Sequence, residues 1–236
     1  MISIKQFRYN SDNFGYVLHG PHEAAVIDGG DWKDISVFLK TNNIRLALLT
    51  NTHRHSDHTC GNAPLQKIFS SGYLDPSKVE DGSFFTIDGE AIHIYKTPGH
   101  TDDSVCFHAG DFLITGDTLF NGTVGNCFSG DLKSFYTSIK RILSLPSQTK
   151  IYAGHDYVLN SLAFARHLEP NNKDLEIFRK DYDDRLKDEV FSTLDEEKKI
   201  NPYLRFNHEA IISVLKDRNL PCDTEWQRWE SLMSID

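Results

Sequence analysis

Short apolar runs, each stopped by a glycine or an Asx residue, fill the first two thirds of the chain. "GYVLHG" and "AAVIDGG" read as adjacent strands, the second halted by its glycine pair. In "DWKDISVFLKTNN" the apolar residues Trp32, Ile35, Phe38 and Leu39 fall at helical spacing, and the helix leads into a buried-looking strand, "IRLALLTNT". "GNAPLQKIF" predicts a short helix. "SFFTIDGEAIHIYKTPGH" and "SVCFHAGDFLITGDTLF" predict hairpins, because their Asp-Gly and Gly-Asp pairs tolerate the positive φ of tight turns. "DLKSFYTSIKRILSL" gathers Leu132, Phe135, Ile139, Ile142 and Leu143 on one side of a helix, and "TKIYAGHDY" is one more strand running into a loop. From about Val158 the pattern turns helical with no clear strand, and the charged stretch "NKDLEIFRKDYDDRLKDEV" predicts a solvated helical face.

The chain has 236 residues, enough for one substantial core, so the change at Val158 marks a change of architecture within one compact molecule. Residues 1–157 and 158–236 form its two parts. No apolar stretch approaches the roughly 18 residues a membrane span needs, and the start "MISIKQFRYN" lacks a leader pattern, so a cytoplasmic location is expected. A formal charge of −9 argues against nucleic acid as partner, and part of it can neutralise bound metal. Cys60, Cys106, Cys127 and Cys222 form no C-x-x-C pair. Neither a zinc ribbon nor a redox dithiol is signalled, and a reducing compartment suits them.

Four places interrupt an apolar strand with His or Asp among small residues: His53-x-His55-x-Asp57-His58, His100 in "TPGHT", Asp117 in "TGDTLF" and His155 in "YAGHDY". Each follows a predicted strand, where a rigid sheet can hold a functional loop. Three histidines crowded into one loop repel one another or lose solvation unless something binds them. Imidazole nitrogen and carboxylate oxygen are ligands for zinc and similar divalent metals, and seven such groups exceed the four of one tetrahedral zinc. The surplus predicts two metals about 3.5–4 Å apart sharing a carboxylate. His53 and His55 are two apart, so on an extended stretch their side chains point the same way. His19, His22, His93, His108, His167 and His208 lack such company and read as structural or solvent-facing.

"THRHSDH", "TPGHT", "TGDTLF" and "GHDY", in that order, resemble the metal motifs of the metallo-β-lactamase superfamily, and in particular of its hydroxyacylglutathione hydrolases, the glyoxalase II enzymes. The resemblance continues into "FARHLEP" and "STLDEEKKINPYLRFN", so it covers most of the chain. It implies an α/β (α+β) fold, an αββα sandwich with the metals at one edge in residues 1–157, followed by a helical substrate-binding region in residues 158–236. It implies that His53, His55 and His100 hold a first metal, that Asp57, His58 and His155 hold a second, and that Asp117 bridges them. Asp57, His58 and Asp117 would then carry the catalytic role. Asp28, in "VIDGG", resembles a residue that fixes a ligating imidazole through its far nitrogen.

The implied activity is hydrolysis of a glutathione thioester such as lactoylglutathione, with two divalent ions, most simply zinc, activating a water and polarising the carbonyl. Iron and manganese accept the same ligands. A thiolate leaving group is weakly basic, so the lack of a separate acid motif suits a thioester. Tyr157 matches the aromatic position after the last histidine. In "GNCFSG", Asn126 stands where the family commonly has a cation and Phe128 where it often has tyrosine, which leaves the thiol carrier open. Arg228 in "EWQRWESL" is a candidate basic contact, and Asp103 replaces a common glycine. A persulfide dioxygenase with one iron on two histidines and an aspartate shares "TPGHT", "HDY" and "EEKKINP" and is the alternative.

Overall fold

The computed structural model describes residues 2–185 and 189–235. The first sheet holds β1 (Ser3–Tyr9), β2 (Asn13–His19), β3 (Glu23–Ile27), β4 (Arg45–Thr50) and β5 (Gly72–Leu74), side by side in that order. Helix α1 (Trp32–Thr41) makes the crossover between the parallel strands β3 and β4. A single turn, α2 (Ser56–Thr59), and helix α3 (Asn62–Ile68) separate β4 from β5. The second half brings β6 (Phe84–Ile87), β7 (Glu90–Lys96), β8 (Val105–Ala109) and β9 (Phe112–Gly116), a small hairpin of β10 (Leu119–Phe120) and β11 (Thr123–Val124), helix α4 (Leu132–Leu143) and β12 (Lys150–Ala153). Then come α5 (Val158–Leu168), α6 (Asp174–Arg185), β13 (Ser192–Thr193), α7 (Leu194–Ile200), α8 (Glu209–Asp217) and α9 (Glu225–Leu232). The second sheet runs β13-β12-β9-β8-β7-β6.

Period-two alternation sorts the strand residues into layers. Tyr16 and Leu18 of β2 and Ala25 and Ile27 of β3 face the second sheet, where Ile92, Ile94, Phe107, Ile114 and Tyr152 meet them in one core. Their neighbours Val17, Ala24 and Val26 face outward and are covered by Ile35 and Leu39 of α1 and Leu65 of α3. The outer face of the second sheet, with Cys106, Leu113 and Ile151, is covered by Phe135, Ile139 and Ile142 of α4 and by Ile211, Leu215 and Trp229 of α8 and α9. Helices therefore cover both sheets, giving the αββα sandwich with added C-terminal helices. The hairpin at Asp88-Gly89 turns with positive φ at both residues, 47° and 81°, as a two-residue turn between right-twisted strands requires.

Two expectations change. The region after Val158 does contain a strand: Ser192–Thr193 pairs antiparallel with Lys150–Ile151, and two residues are too few to show a period. The charged stretch is more than a solvated face, because Leu175, Phe178 and Tyr182 of α6 enter the core between the sheets while the charges between them stay outside. Residues 186–188 of that stretch lie outside the described residues. Among the described residues, no helix is long and apolar enough to cross a membrane.

A buried carboxylate ties the C-terminal helices to the β10–β11 hairpin. Both oxygens of Glu197 accept from the Gly122 amide, at 3.0 and 3.1 Å, and Ser192 Oγ and Asn201 Nδ2 donate to it at 2.6 and 2.8 Å. Burial pushes this carboxyl up to about 7, against the pull of those donors. A folded value above the unfolded one means that the group's stabilisation is complete below about pH 4 and is lost as the pH rises through 7. Denaturant titrations are expected to show the unfolding free energy falling by roughly 1–3 kcal/mol between about pH 4 and 8. In Glu197→Gln that part of the slope is expected to vanish, and an unaltered slope would contradict the assignment.

Candidate metal centre

The polar residues collect where β4, β9 and β12 end at one edge of the sandwich. His53 and His55 leave β4 in an extended segment, and the His55 carbonyl then starts α2 by accepting the amides of His58 and Thr59, both at 3.1 Å. That turn carries Asp57 and His58 into a second group, while the His58 ring stays 4.2 Å from that of His53. Asp117 directly follows β9, His155 follows β12, and His100 lies in the loop after β7. The two sheets are laced together here, Phe14 donating to the Gly154 carbonyl and Val105 to Thr52, while Gly154 donates to Gly116 across the ends of β12 and β9, each at 2.8 Å.

His53, His55, His100 and Asp117 bring their ligand atoms within 4.8 Å of one another, and Asp57, His58 and His155 form a second such group. Within the first, His55 Nδ1 is 2.9 Å from His53 Nε2 and 3.1 Å from His100 Nε2. In the second, His58 Nε2 and His155 Nε2 are 3.3 Å apart, and Asp57 Oδ2 is 3.4 Å from His155 Nε2. Asp117 spans both groups: Oδ2 is 3.5 Å from both His100 Nε2 and His155 Nε2, and Oδ1 is 3.4 Å from His58 Nε2.

The opposite nitrogens show where the protons sit. His58 Nδ1 meets Asp28 Oδ2 at 3.0 Å, His155 Nδ1 meets Asp12 Oδ1 at 2.8 Å, and His100 Nδ1 meets the Asn126 carbonyl at 2.9 Å. All three partners are acceptors, so each ring keeps its hydrogen on the outer nitrogen and turns a lone pair inward. Thr52 Oγ1 gives its own hydrogen to Asp28 Oδ2, 2.7 Å away, and so accepts from His53 Nδ1 at 3.0 Å. Inward lone pairs at such separations repel unless a cation lies among them. This donor set fits divalent metal ions. His55 differs, because its Nδ1 faces inward and its Nε2 has no partner among the described residues.

The electrostatics are strongly coupled. Burial, with the neighbouring His58, drives His53 down to about 3, and burial also lowers His100. Burial opposes protonation of His58 too, but without a cation between the groups Asp28 and Asp117 outweigh it and raise that imidazole well above its ordinary value, so a bound metal would take the place of the inward proton. Burial likewise opposes the charge of Asp117, yet His155 and His58 hold it well below the usual carboxylate range.

Asp28 meets its expected position, since it accepts from His58 and from both the amide and the hydroxyl of Thr52. Tyr157 stacks on His155, ring centroids 5.0 Å apart and nearly parallel. Phe128, 66% exposed, sets its ring against His55 and His100, at 5.7 and 5.2 Å. Asn126 touches the centre through its backbone carbonyl. Arg228 lies apart from these contacts: its guanidinium is taken by Asn207 and by the carbonyls of Cys222 and Asp223. The six histidines read as structural lie outside both groups. Sequence reasoning missed Asp12, Asn13 and Thr52. Asn13 Nδ2 donates to Asp57 Oδ2 at 2.8 Å, and its one sequence signal, the polar run "YNSDN", reads as an ordinary turn.

Residues 69–155 match the metallo-β-lactamase superfamily model, and residues 156–233 match the model of the hydroxyacylglutathione hydrolase C-terminus. The hydroxyacylglutathione hydrolase of Pseudoalteromonas translucida is 32% identical over 100% of this chain and 97% of its own length. That of Brucella ovis is 31% identical, covering 93% of each chain. Among solved structures, ETHE1 from Myxococcus xanthus superposes with a TM-score of 0.68 at 22% identity, covering 97% of this chain and 99% of that one. The BLEG-1 B3 metallo-β-lactamase gives 0.65 at 22% identity, over 86% and 99%. The two structural likenesses show the same fold. With a curated relative 32% identical along its whole length, the chain belongs to the hydroxyacylglutathione hydrolase family of the metallo-β-lactamase superfamily.

Proposed function

We propose that this chain is a binuclear metal-dependent thioester hydrolase that cleaves S-2-hydroxyacylglutathione, such as lactoylglutathione, to glutathione and a 2-hydroxy acid. The observation that carries the reading is Asp117, a single buried carboxylate reached by histidines of both groups. His53, His55 and His100 would hold one ion, Asp57, His58 and His155 the other, and Asp117 both. Zinc suits a nitrogen-rich set with carboxylate oxygen, while iron and manganese compete for it. Such ions, when bound, supply Lewis acidity toward a carbonyl and a water acidic enough to react near neutral pH.

The chain's own residues do the rest. Asp12, Asp28 and the Asn126 carbonyl keep each ring's hydrogen on the far side, so the inward nitrogens stay available as ligands. Phe128 offers an exposed apolar platform beside His55 and His100, and Tyr157 a wall beside His155, between which a thioester can lie. No side chain need protonate the departing sulfur, because a thiol of pKa about 8.5 leaves readily as thiolate. Residues 1–157 would supply the metal ligands and the Phe128 and Tyr157 walls, and residues 158–236 the rest of the substrate side. Four unpaired cysteines suit a reducing cytoplasm.

Elemental analysis of the purified protein, paired with thiol release from lactoylglutathione, tests the proposal. Two divalent ions per chain and catalysed release are expected. One iron per chain with oxygen consumption on glutathione persulfide would replace the reading with the dioxygenase.

A further inference from the structure

The five histidines are not held alike. Four have a hydrogen-bond partner on the outer nitrogen, and His55 has none among the described residues. The residue is half-buried, and two neighbours bear on how its ring is placed. The Phe128 ring meets it edge to face at 5.7 Å. Arg54, between His53 and His55, sends Nε to Asp103 Oδ2 at 2.8 Å, and Asp103 belongs to the loop that carries His100. The Asp103 side chain is only 12% exposed, against 59% for Arg54, and its Oδ1 accepts from Thr101 Oγ1 at 2.8 Å. The same two loops are joined once more by Val105 N–H to the Thr52 carbonyl.

We propose that the Arg54–Asp103 pair is a positioning device for one metal only, standing in for the outer-nitrogen bond that His55 lacks. The inference rests on the binuclear reading. The pair ties together the two loops that supply His53, His55 and His100. The other group needs no such tie, because Asp57 and His58 share one helical turn, Asn13 holds Asp57 and Asp12 holds His155.

The zinc-loaded enzyme, equilibrated against graded EDTA with bound zinc counted by elemental analysis, tests this. The native chain should lose zinc in two steps. In Arg54→Gln and in Asp103→Asn, one step should move to about tenfold lower EDTA, the scale on which outer ligand contacts act. The other step should stay within about twofold, with the melting temperature in excess zinc unchanged. The swapped pair, Arg54→Asp with Asp103→Arg, should bring the step back. Two unmoved steps, or two that move together, overturn the proposal. A native chain that holds fewer than two ions overturns the binuclear reading itself, before any substitution is made, and takes the proposal with it.

Discussion

Asp117→Asn is expected to lower the bound metal from two ions per chain toward one and to cut kcat/KM by about a thousandfold, equivalent to roughly 4 kcal/mol. The side chain is 9% exposed and lies 3.4–3.5 Å from the inward nitrogens of His58, His100 and His155. Its Oδ1 is buried with no hydrogen-bond donor of its own. An amide there removes the negative charge shared by both groups and presents N–H to a site built from lone pairs. The shape is conserved, so the fold should survive and the loss should be one of charge. Elemental analysis and initial rates check this. A variant that keeps two ions and stays within about tenfold of native activity would remove Asp117 from the shared position.

The second large effect comes from a residue with no side chain. In Gly154→Ala the added methyl would overlap Asp117 Oδ1 and lie 2.9 Å from His58 Cε1. The backbone cannot retreat, because Gly154 N–H is bonded to the Gly116 carbonyl and its own carbonyl accepts from Phe14, both at 2.8 Å. Either the carboxylate rotates out of the centre or the strand end distorts, the latter costing about 1–3 kcal/mol as in an overfilled core. Metal content and activity are expected to fall about a hundredfold or more in affinity and rate. Gly72→Ala is the control, since its methyl would meet nothing closer than 3.6 Å and should change neither. Native metal affinity in Gly154→Ala would show that the centre has slack the packing does not reveal.

Much of this was legible in the sequence, for a definite reason. The strands flanking the core alternate apolar and polar or small residues, and α1 and α4 carry apolar stripes, so local periodicity reported their burial. The seven candidate ligands stood out because imidazole and carboxylate interrupt apolar runs, and the fold brings all seven to one edge. What stayed hidden acts over distance or through the main chain. Asp12 meets His155 from 143 residues away, and nothing near it in sequence distinguishes it from a turn aspartate. Arg54 and Asp103 are 49 apart, and each alone reads as a surface charge. β13 is two residues long and exists because it completes a sheet edge.

His100 is held by the main-chain carbonyl of residue 126, and the amide side chain there takes no part in that bond. Any residue other than one that bends the loop keeps the same carbonyl in place. The side chain at this exposed position and the hold on His100 are thereby independent of one another. A lysine, a serine or a leucine at 126 would change the charge and polarity of the surface there while the imidazole keeps its partner. Substitution at this one codon can therefore alter the surface beside the histidines without passing through forms that release the His100 ring.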